Sequence, residues 1–179
     1  EQFSRMASGW QVTEKSGIRH TFGTTAESRV EFDDNGTTRE FAWLIERTED
    51  TAGNTITYRY RTEQGQRYIE EIRYAVYVIR FEYEARPDSF SDFRSGFEVH
   101  TALRCSRVTL HVEPLGPAAV RTWALAYDTE PYSGLSLLRS VTFSGFDPET
   151  GESASLPPLE FSYTAFTPSS RRLRKFAAE

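Results

Sequence analysis

The feature that most constrains the fold of this chain is the alternation of apolar and polar residues in short runs. In residues 77–84, every second side chain is a tyrosine, isoleucine or phenylalanine, and charged side chains fill most of the positions between them. Successive side chains of a β-strand point to opposite faces, so a period of two predicts a strand with one buried face and one solvent-facing face. Residues 54–61, 123–127 and 159–163 repeat the pattern. We therefore expect an all-β chain.

Turn residues separate these runs. Glycine, asparagine and aspartate tolerate a positive φ and favour the tight turns that connect antiparallel strands. Such residues occur at Ser16-Gly17, Asp33-Asp34-Asn35-Gly36, Ala52-Gly53-Asn54 and Gln64-Gly65. At Asp33 a hairpin is preferred to a calcium loop, because the calcium-loop pattern ends in a bidentate glutamate that is missing here. At the usual spacing of roughly 8 to 12 residues, we predict an antiparallel meander of about ten or eleven strands.

Three segments interrupt the alternation. Residues 85–96 combine proline, aspartate, serine and glycine, and residues 113–118 hold two prolines, so we predict a long connection at each place. In residues 72–78, two strand-like runs meet without a turn residue between them. This segment is expected to be one long strand with a bend, unless turn residues are missing from the chain.

Composition excludes several classes of protein. Of the 179 residues, 38% are hydrophobic and 14% are aromatic, which is more burial potential than a disordered protein has. The net charge of −5 argues against a binder of nucleic acid, which needs clustered lysine and arginine. No apolar run is long enough for a membrane-spanning helix, so we expect no direct insertion into a membrane. Residues 1–5 show no signal peptide and no initiating methionine, which suggests an excised piece of a longer chain.

Few side chains are candidates for chemistry. The single cysteine, Cys105, allows neither an internal disulfide nor a thiolate metal cluster. It is expected to be a buried small residue rather than a reactive thiolate, because free cysteine is among the most buried residue types. The spacings of His20, His100 and His111 fit no zinc motif. We predict no metal and no cofactor.

Five stretches of the sequence, taken in order, resemble one family. They are WQVTEKSGIRHTFGTTAESRV, WLIERTEDTAGNTITYRYR, RPDSFSDFRSGFEVHTALRCSRVTL, LAYDTEPYSGLSLLRSVTFSGFD and LPPLEFSY. The most specific pieces are Arg86-Pro87-Asp88, followed by residues 93–99, and residues 156–158, followed by residues 161–163. Together they are similar to the SpvB-type domain of the B components of insecticidal toxin complexes and of related Rhs and YD-repeat toxin proteins. Members of that family usually carry an insertion near residues 74–77, which this chain lacks.

The resemblance implies a single SpvB-type domain over residues 1–179, within a much larger secreted chain. In this family, β-strands wind into a hollow shell that encloses a toxic polypeptide, and a propeller domain follows in sequence. The chain is then expected to be part of an Rhs-like β-shell or an open β-sandwich. Its partners would be neighbouring Rhs and propeller domains of the same chain or of a partner toxin subunit, and the enclosed polypeptide. Residues 171–175 would connect it to the next domain.

The role that the resemblance implies is structural, not enzymatic: the domain would help to form or brace the shell. We predict no catalytic residue. One segment is a candidate for structural contacts, and its residues are Arg86, Pro87, Asp88, Phe93, Arg94 and Phe97. A long ordered connection with arginine, aspartate and aromatic side chains can clamp neighbouring strands through charge-assisted hydrogen bonds.

Two alternative functions stay open. A carbohydrate- or receptor-binding β-module would present Trp10, Trp43 or Trp123 on an exposed surface. Some SpvB-type proteins carry a separate ADP-ribosyltransferase domain, which makes Glu82 and Glu84 a candidate for its paired-glutamate signature. The Ser-Thr-Ser strand that this signature also needs does not occur in the sequence. A solvent-facing strand is therefore the preferred interpretation of this pair.

Overall fold

The computed structural model describes residues 1–164, and β-strands make up most of them. The connector predicted at residues 171–175 lies outside the described residues. The strands are β1 (Gln2–Arg5), β2 (Trp10–Thr13), β3 (Arg19–Phe22), β4 (Arg29–Asp34), β5 (Thr37–Trp43), β6 (Ile45–Glu49), β7 (Thr55–Glu63), β8 (Gln66–Tyr74), β9 (Tyr77–Asp92), β10 (Val99–Val112), β11 (Ala119–Thr129), β12 (Ser136–Phe146), β13 (Ser153–Ser155) and β14 (Leu159–Glu160). Single turns of 3-10 helix occur at Ala26–Ser28 and Glu113–Leu115.

Twelve of these strands form one open antiparallel sheet. Its order is β1-β2-β3-β6-β7-β8-β9-β10-β11-β12-β13, with β14 also beside β12, while β4 and β5 form a separate hairpin. The all-β antiparallel meander expected from the sequence is therefore confirmed. Residues 1–164 contain fourteen strands where about ten or eleven were expected, since strands as short as β13 and β14, with three and two residues, show no alternation. No helix in this range is long and apolar enough to cross a membrane.

The turns predicted from glycine, asparagine and aspartate are confirmed. The β4–β5 turn contains Asn35 at φ 53° and Gly36 at φ 85°, and the amide of Gly36 donates to Asp33 Oδ1 at 2.6 Å. An Asn-Gly pair suits this position because a two-residue hairpin turn requires a positive φ at both central residues. The turns that contain Gly17, Gly53 and Gly65 likewise connect antiparallel neighbours.

Residues 72–78 form a tight hairpin, so the expectation of one long bent strand is wrong. Tyr74 at the end of β8 pairs directly with Tyr77 at the start of β9. Between them, Ala75 takes φ 50°, a left-handed conformation that costs a residue with a Cβ about 1 kcal/mol. The sequence pattern missed the turn because alanine is not a usual turn residue.

The long connection predicted at residues 85–96 is also wrong. Strand β9 continues to Asp92, and only residues 93–98 connect it to β10. Pro87 is tolerated inside the strand because the ladder to β10 is interrupted there: Ala85 pairs with Leu103 and Phe90 with Thr101, with no pair in between. The connection predicted at residues 113–118 is confirmed, since it contains the Glu113–Leu115 turn and no strand.

One side of the large sheet, the apolar face, carries a continuous set of apolar side chains. Residues that are directly opposite each other in an antiparallel pair lie on the same face. Cross-strand pairs place on this face Ile56, Tyr58, Ile72, Tyr74, Tyr77, Ile79, Phe81, Val108, Leu110, Trp123, Leu125, Val141 and Phe143. None of them is fully buried, and Tyr74 and Tyr77 are 47% and 45% exposed. Within residues 1–164, no second layer buries this face.

The opposite side of the sheet, the polar face, carries charged side chains. It also contains residues that are more deeply buried than those named on the apolar face. Glu71 accepts hydrogen bonds from Arg73 at 2.6 Å and from Arg80 at 3.3 Å. Val78 and Thr109, both on this face, are 2% and 6% exposed. The polar face thus shields its own small interior with long charged side chains, as Arg and Lys stems often do.

A small cluster of buried apolar residues lies at the far end of the β9–β10 hairpin. Val30 of the β4–β5 hairpin packs with Phe97 and Val99, and Ala42 packs against them. The ring of Phe97 also stacks on that of Phe32, with centroids 5.4 Å apart. The β4–β5 hairpin is therefore held to the β9–β10 hairpin by apolar packing.

Candidate functional site

The longest hairpin of the sheet, β9–β10, has a large irregularity in β9. Residues 86–89 face only Ala102 of β10, because Ala85 pairs with Leu103 and Phe90 with Thr101. Extra residues in one strand interrupt the ladder and bend the strand. The segment Arg86-Pro87-Asp88 occupies this bulge, which frees the side chains of Arg86 and Asp88 to contact elements other than β10.

Arg86 and Asp88 form a bidentate pair. The guanidinium of Arg86 donates from Nε to Asp88 Oδ1 at 3.0 Å and from Nη2 to Oδ2 at 2.8 Å. The same guanidinium lies over the ring of Phe90, 5.0 Å from its centroid. Two parallel charge-assisted bonds fix the carboxylate in one orientation, so Asp88 presents its remaining acceptor positions to the neighbouring hairpin.

Asp88 accepts two further hydrogen bonds from Ser136, the first residue of β12. The backbone amide of Ser136 donates to Oδ2 at 2.9 Å, and its hydroxyl donates to Oδ1 at 2.6 Å. The side chain of Asp88 is 6% exposed. The bonds to Arg86 and Ser136 hold the pKa of Asp88 well below its ordinary value, because hydrogen bonds to a carboxylate favour its charged form.

Arg104 of β10 completes this cluster. Its Nη1 donates to Ser136 Oγ at 2.7 Å, and its Nε donates to Glu84 Oε1, also at 2.7 Å. Its guanidinium lies 4.5 Å from the centroid of the Tyr127 ring. Arg86, Asp88, Arg104 and Ser136 form the Asp88 network, which joins β9, β10 and β12.

The Asp88 network lies where two hairpins separate. Strand β11 pairs with β10 only as far as Ala124 opposite Arg107, although β11 and β12 stay paired to Thr129 and Ser136. Beyond Arg107, β9–β10 and β11–β12 therefore have no backbone ladder between them. The Asp88 network replaces that ladder with side-chain bonds.

Tyr68 of β8 supports the bulge from the other side. The amides of Ala102 and Leu103 donate to its hydroxyl at 3.0 and 3.2 Å. Both amides lie at the bulge, and a buried amide without an acceptor would cost free energy. Tyr68 is 7% exposed, and its ring packs edge-on against that of Tyr83, with centroids 5.2 Å apart.

The other residues of the predicted segment lie in different surroundings. Phe97 belongs to the buried cluster with Val30 and Val99. Phe93 and the side chain of Arg94 lie in the turn at the end of the hairpin and are 64% and 83% exposed, and Arg94 pairs with Asp92 at 2.5 Å. The structure thus brings Arg86, Pro87 and Asp88 to one place and separates them from the turn.

The partners of this segment could not be predicted from the sequence. Tyr68, Arg104 and Ser136 are 20, 16 and 48 residues away from Asp88 in the sequence, and no spacing rule relates them. An aspartate that follows a proline inside a strand-like stretch is a weak signal of such a bulge.

The remaining candidates for chemistry do not converge on a site. Glu82 and Glu84 are each paired with an arginine, Arg107 at 3.5 Å and Arg104 at 2.7 Å. No group of three or more histidine, cysteine or acidic side chains in residues 1–164 could hold a metal ion. Cys105 is half-buried, and burial raises the pKa of its thiol, which disfavours the reactive thiolate.

The three tryptophans do not form an exposed row. The rings of Trp10 and Trp43 pack edge to face, with centroids 6.1 Å apart, and Trp123 packs against Phe143 at 5.4 Å. All three are half-buried. A stacking platform for sugars needs open ring faces, so this arrangement does not support the carbohydrate-binding alternative.

Comparison with known proteins identifies the fold. Residues 1–78 match the family model SpvB, described as the Salmonella virulence plasmid 65kDa B protein. No curated protein sequence matches the chain. The sequence-based resemblance is therefore confirmed by this family model, and the solved structures below share the fold.

Two of those structures are crystal structures of TcdB2-TccC3, one without its hypervariable C-terminal region and one described as TcdB2-TccC3-TEV. Their TM-scores are 0.76 and 0.75, each is 22% identical, and they match 90% and 89% of this chain. The N-terminal domain of effector protein SpvB from Salmonella typhimurium strain LT2 matches 78% of the chain at a TM-score of 0.67 and 21% identity. The chain spans 10% of each TcdB2-TccC3 chain and 61% of the SpvB domain.

Proposed function

We propose that this chain is a non-enzymatic structural domain of a toxin-complex or Rhs-type virulence protein, and that it helps to form or brace a β-shell around a cytotoxic polypeptide. The observation that carries this proposal is the apolar face of the large sheet, which no second layer buries within residues 1–164. A sheet in a self-contained domain covers such a face with a helix or another sheet. Large exposed apolar surfaces are typical of interaction sites.

The comparisons support this role through size and fold. The chain has the fold of about a tenth of the TcdB2-TccC3 chains. A domain of this kind would be one section of a longer wall, with strands of neighbouring Rhs and propeller domains at its edges. A secreted location for the parent protein follows from the same proposal.

Within such a wall, we assign the bulge residues Arg86, Pro87 and Asp88 a bracing role. A shell wall must resist separation of adjacent hairpins, and the Asp88 network joins two hairpins where their backbone ladder has ended. Phe97 braces a second joint through its contact with Phe32. The exposed Phe93 and Arg94 would contact a neighbouring domain.

Photo-crosslinking in the parent protein tests this proposal. A benzoylphenylalanine at Phe81 lies on the apolar face, and the same group at the adjacent Glu82 lies on the polar face. We expect crosslinks to the enclosed polypeptide from position 81 and none from position 82. Crosslinks from position 82 alone, or from neither position, would contradict a wall whose apolar face looks inward.

Two cheaper assays address the alternative functions. If the chain were a carbohydrate-binding module, it would give saturable signals on a glycan array, and we expect none. If it were an ADP-ribosyltransferase, labelled NAD would modify proteins of an actin-containing lysate, and a Glu82→Gln, Glu84→Gln variant would abolish the signal. We expect no transfer with either chain.

A further inference from the structure

The large sheet contains a structural repeat that is built on β-bulges. In four hairpins, the second strand has one extra residue at the same place relative to its partner strand. The hairpins are β3–β6, β7–β8, β9–β10 and β11–β12, and the extra residues are Glu46, Glu70, Ser106 and Arg139. An aromatic residue of the first strand lies beside each bulge: Phe22, Tyr60, Tyr83 and Tyr127 pair with Ile45, Ile69, Cys105 and Leu138.

Tyrosine hydroxyls link each hairpin to the preceding one. The tyrosine of one hairpin donates to the backbone carbonyl of the residue that precedes the bulge in the hairpin before it. The four bonds are Tyr60 to Ile45 at 2.7 Å, Tyr83 to Ile69 at 2.7 Å, Tyr127 to Cys105 at 2.7 Å and Tyr163 to Leu138 at 2.9 Å. We call this series the tyrosine ladder.

The tyrosine ladder has one geometry in all four places. The last direct pairs between successive hairpins are Arg47–Thr57, Glu71–Arg80, Arg107–Ala124 and Ser140–Glu160. Each accepting carbonyl lies two residues before the first member of its pair, and each tyrosine lies three residues after the second. The carbonyl has thus just lost its strand partner, and the hydroxyl supplies the hydrogen bond that a buried carbonyl requires.

The same rule explains why position 22 is a phenylalanine and has no hydroxyl. It holds the aromatic position of the β3–β6 hairpin, but strands β2 and β3 stay paired through Trp10 and Phe22. No carbonyl is left without a strand partner there, so no hydroxyl is needed.

Tyr163 belongs to the tyrosine ladder but has no paired second strand within residues 1–164. The amide of Phe161 donates to Arg139 of β12 at 2.8 Å. Amides alternate in direction along an antiparallel strand, so those of Glu160 and Ser162 point away from β12. The outer edge of residues 159–163 is an unpaired strand edge in this part of the chain, and such edges are templates for strand addition. Pro157 and Pro158 prevent pairing further upstream.

We propose that the edge of residues 159–163 binds one further antiparallel strand, and that the sequence around Leu173 of this chain supplies it. In each hairpin of the repeat, a residue whose carbonyl accepts a tyrosine bond is followed by two polar residues, as in Ile69-Glu70-Glu71 and Leu138-Arg139-Ser140. The same order occurs at Leu173-Arg174-Lys175. Ten positions separate Tyr163 from Leu173, compared with nine from Tyr60 to Ile69 and eleven from Tyr127 to Leu138.

This inference rests on the proposed function in that it describes how the wall continues beyond β14. It also assigns a role to residues 171–175 that differs from the connector expected from the sequence.

Amide hydrogen exchange, measured by NMR on the full 179-residue chain, tests the inference. We expect the amides of Glu160 and Ser162 to be protected, and Leu173→Pro to accelerate their exchange about tenfold or more, because proline cannot donate to a ladder. Ala178→Pro is the matched control and should leave both amides protected. The amides of β7 and β8 report whether each variant is folded.

A second readout needs no variant. Nuclear Overhauser contacts in the unmodified chain should connect the backbone of residues 162–163 with that of residues 172–174. Absence of these contacts, or equal exchange at Glu160 and Ser162 in the unmodified and Leu173→Pro chains, would overturn the inference. Either result leaves the crosslinks from Phe81 unaffected, so failure of the added strand is distinguishable from failure of the wall.

Discussion

The two ends of the hairpins in this sheet are held together in different ways. We call the end of a hairpin that contains its own turn the tip, and the opposite end the base. At their bases, successive hairpins pair directly and then separate at a tyrosine hydroxyl, with one geometry in four places. At their tips, each joint is different: β9–β10 meets β11–β12 through the Asp88 network and meets the β4–β5 hairpin through Phe97. The bases therefore follow a repeated rule, and the tips depend on individual side chains.

This difference predicts where the sheet tolerates substitution. A repeated bond that is lost at one base leaves the other bases intact, so each loss should be modest. The joint between the tips of β9–β10 and β11–β12 has no equivalent among the other joints of residues 1–164. Its main contact is the carboxylate of Asp88, which accepts four hydrogen bonds. The largest single effect should therefore occur at a tip.

Asp88→Ala should give the largest loss of stability. It removes all four bonds to the carboxylate and leaves the amide of Ser136 and the guanidinium of Arg86 without their acceptor. We expect the free energy of unfolding to fall by about 3 kcal/mol, as measured by urea denaturation. Asp92→Ala is the control, because the side chain of its partner Arg94 is 83% exposed, and the loss of stability should be much smaller than for Asp88→Ala. Equal losses in the two variants would remove the distinction between the Asp88 network and an ordinary surface pair.

Alkaline pH should weaken the bases of the hairpins as a group. Burial raises the pKa of Tyr60 and of Tyr83 to about 12. Because both values lie above that of an unfolded tyrosine, the stabilisation is fully present below about pH 10 and is lost as the pH rises through about 12. With allowance for their partial exposure, the two groups together should contribute about 2 kcal/mol. Urea midpoints between neutral and high pH, with tyrosinate absorbance recorded in parallel, measure this. Constant stability across that interval would contradict a role for the protonated hydroxyls.

Single substitutions should then separate the tyrosine ladder from general packing. Tyr83→Phe keeps the ring and removes the hydroxyl that donates to Ile69, so we expect a loss of about 1 kcal/mol by urea denaturation. Phe22→Tyr is the reciprocal control and should gain nothing, because the strands on either side of Phe22 remain paired. A stabilising Phe22→Tyr would show that the hydroxyl acts independently of strand separation.

The smallest predicted effect concerns the β8–β9 turn. Ala75→Gly relieves a positive φ of 50°, and we expect a gain of about 0.5 kcal/mol after the entropy that glycine loses on folding. Thermal unfolding of the variant measures it. Ala52→Gly, in a turn whose alanine does not have a positive φ, should instead lose a similar amount. If both variants shift in the same direction, backbone strain at Ala75 is not the cause.

The sequence predicted the strands and most of the turns better than the contacts between hairpins, for a physical reason. Alternation and turn residues are local signals, and they located most of the antiparallel strands and the hairpin at Asp33 to Gly36. Pro87 led to the wrong expectation of a long connection because proline usually ends a strand, whereas here it lies in a bulge where the backbone amide has no role in the ladder. Ala75 hid a turn because its strained conformation has no compositional sign.

Contacts between distant residues could not be predicted at all. Ser136 binds Asp88 across 48 residues, and only the separation of two hairpins brings them together. The tyrosine ladder is equally invisible, because its tyrosines at positions 60, 83, 127 and 163 follow no fixed period. The hairpin tips vary in length while the bases keep one geometry, so the repeat exists in the register of the strands and not in the sequence.

The most direct test of the account is the solvent exposure of the two faces of the sheet. A soluble paramagnetic agent relaxes the NMR signals of methyl groups according to their exposure, and Ile72, Val78 and Ile79 provide neighbouring probes on opposite faces. We predict strong relaxation of the methyl groups of Ile72 and Ile79 on the apolar face and weak relaxation of those of Val78, which is 2% exposed. If Ile72 and Ile79 were as protected as Val78, a second layer would cover the apolar face, and the interpretation of this chain as one section of a wall would be contradicted.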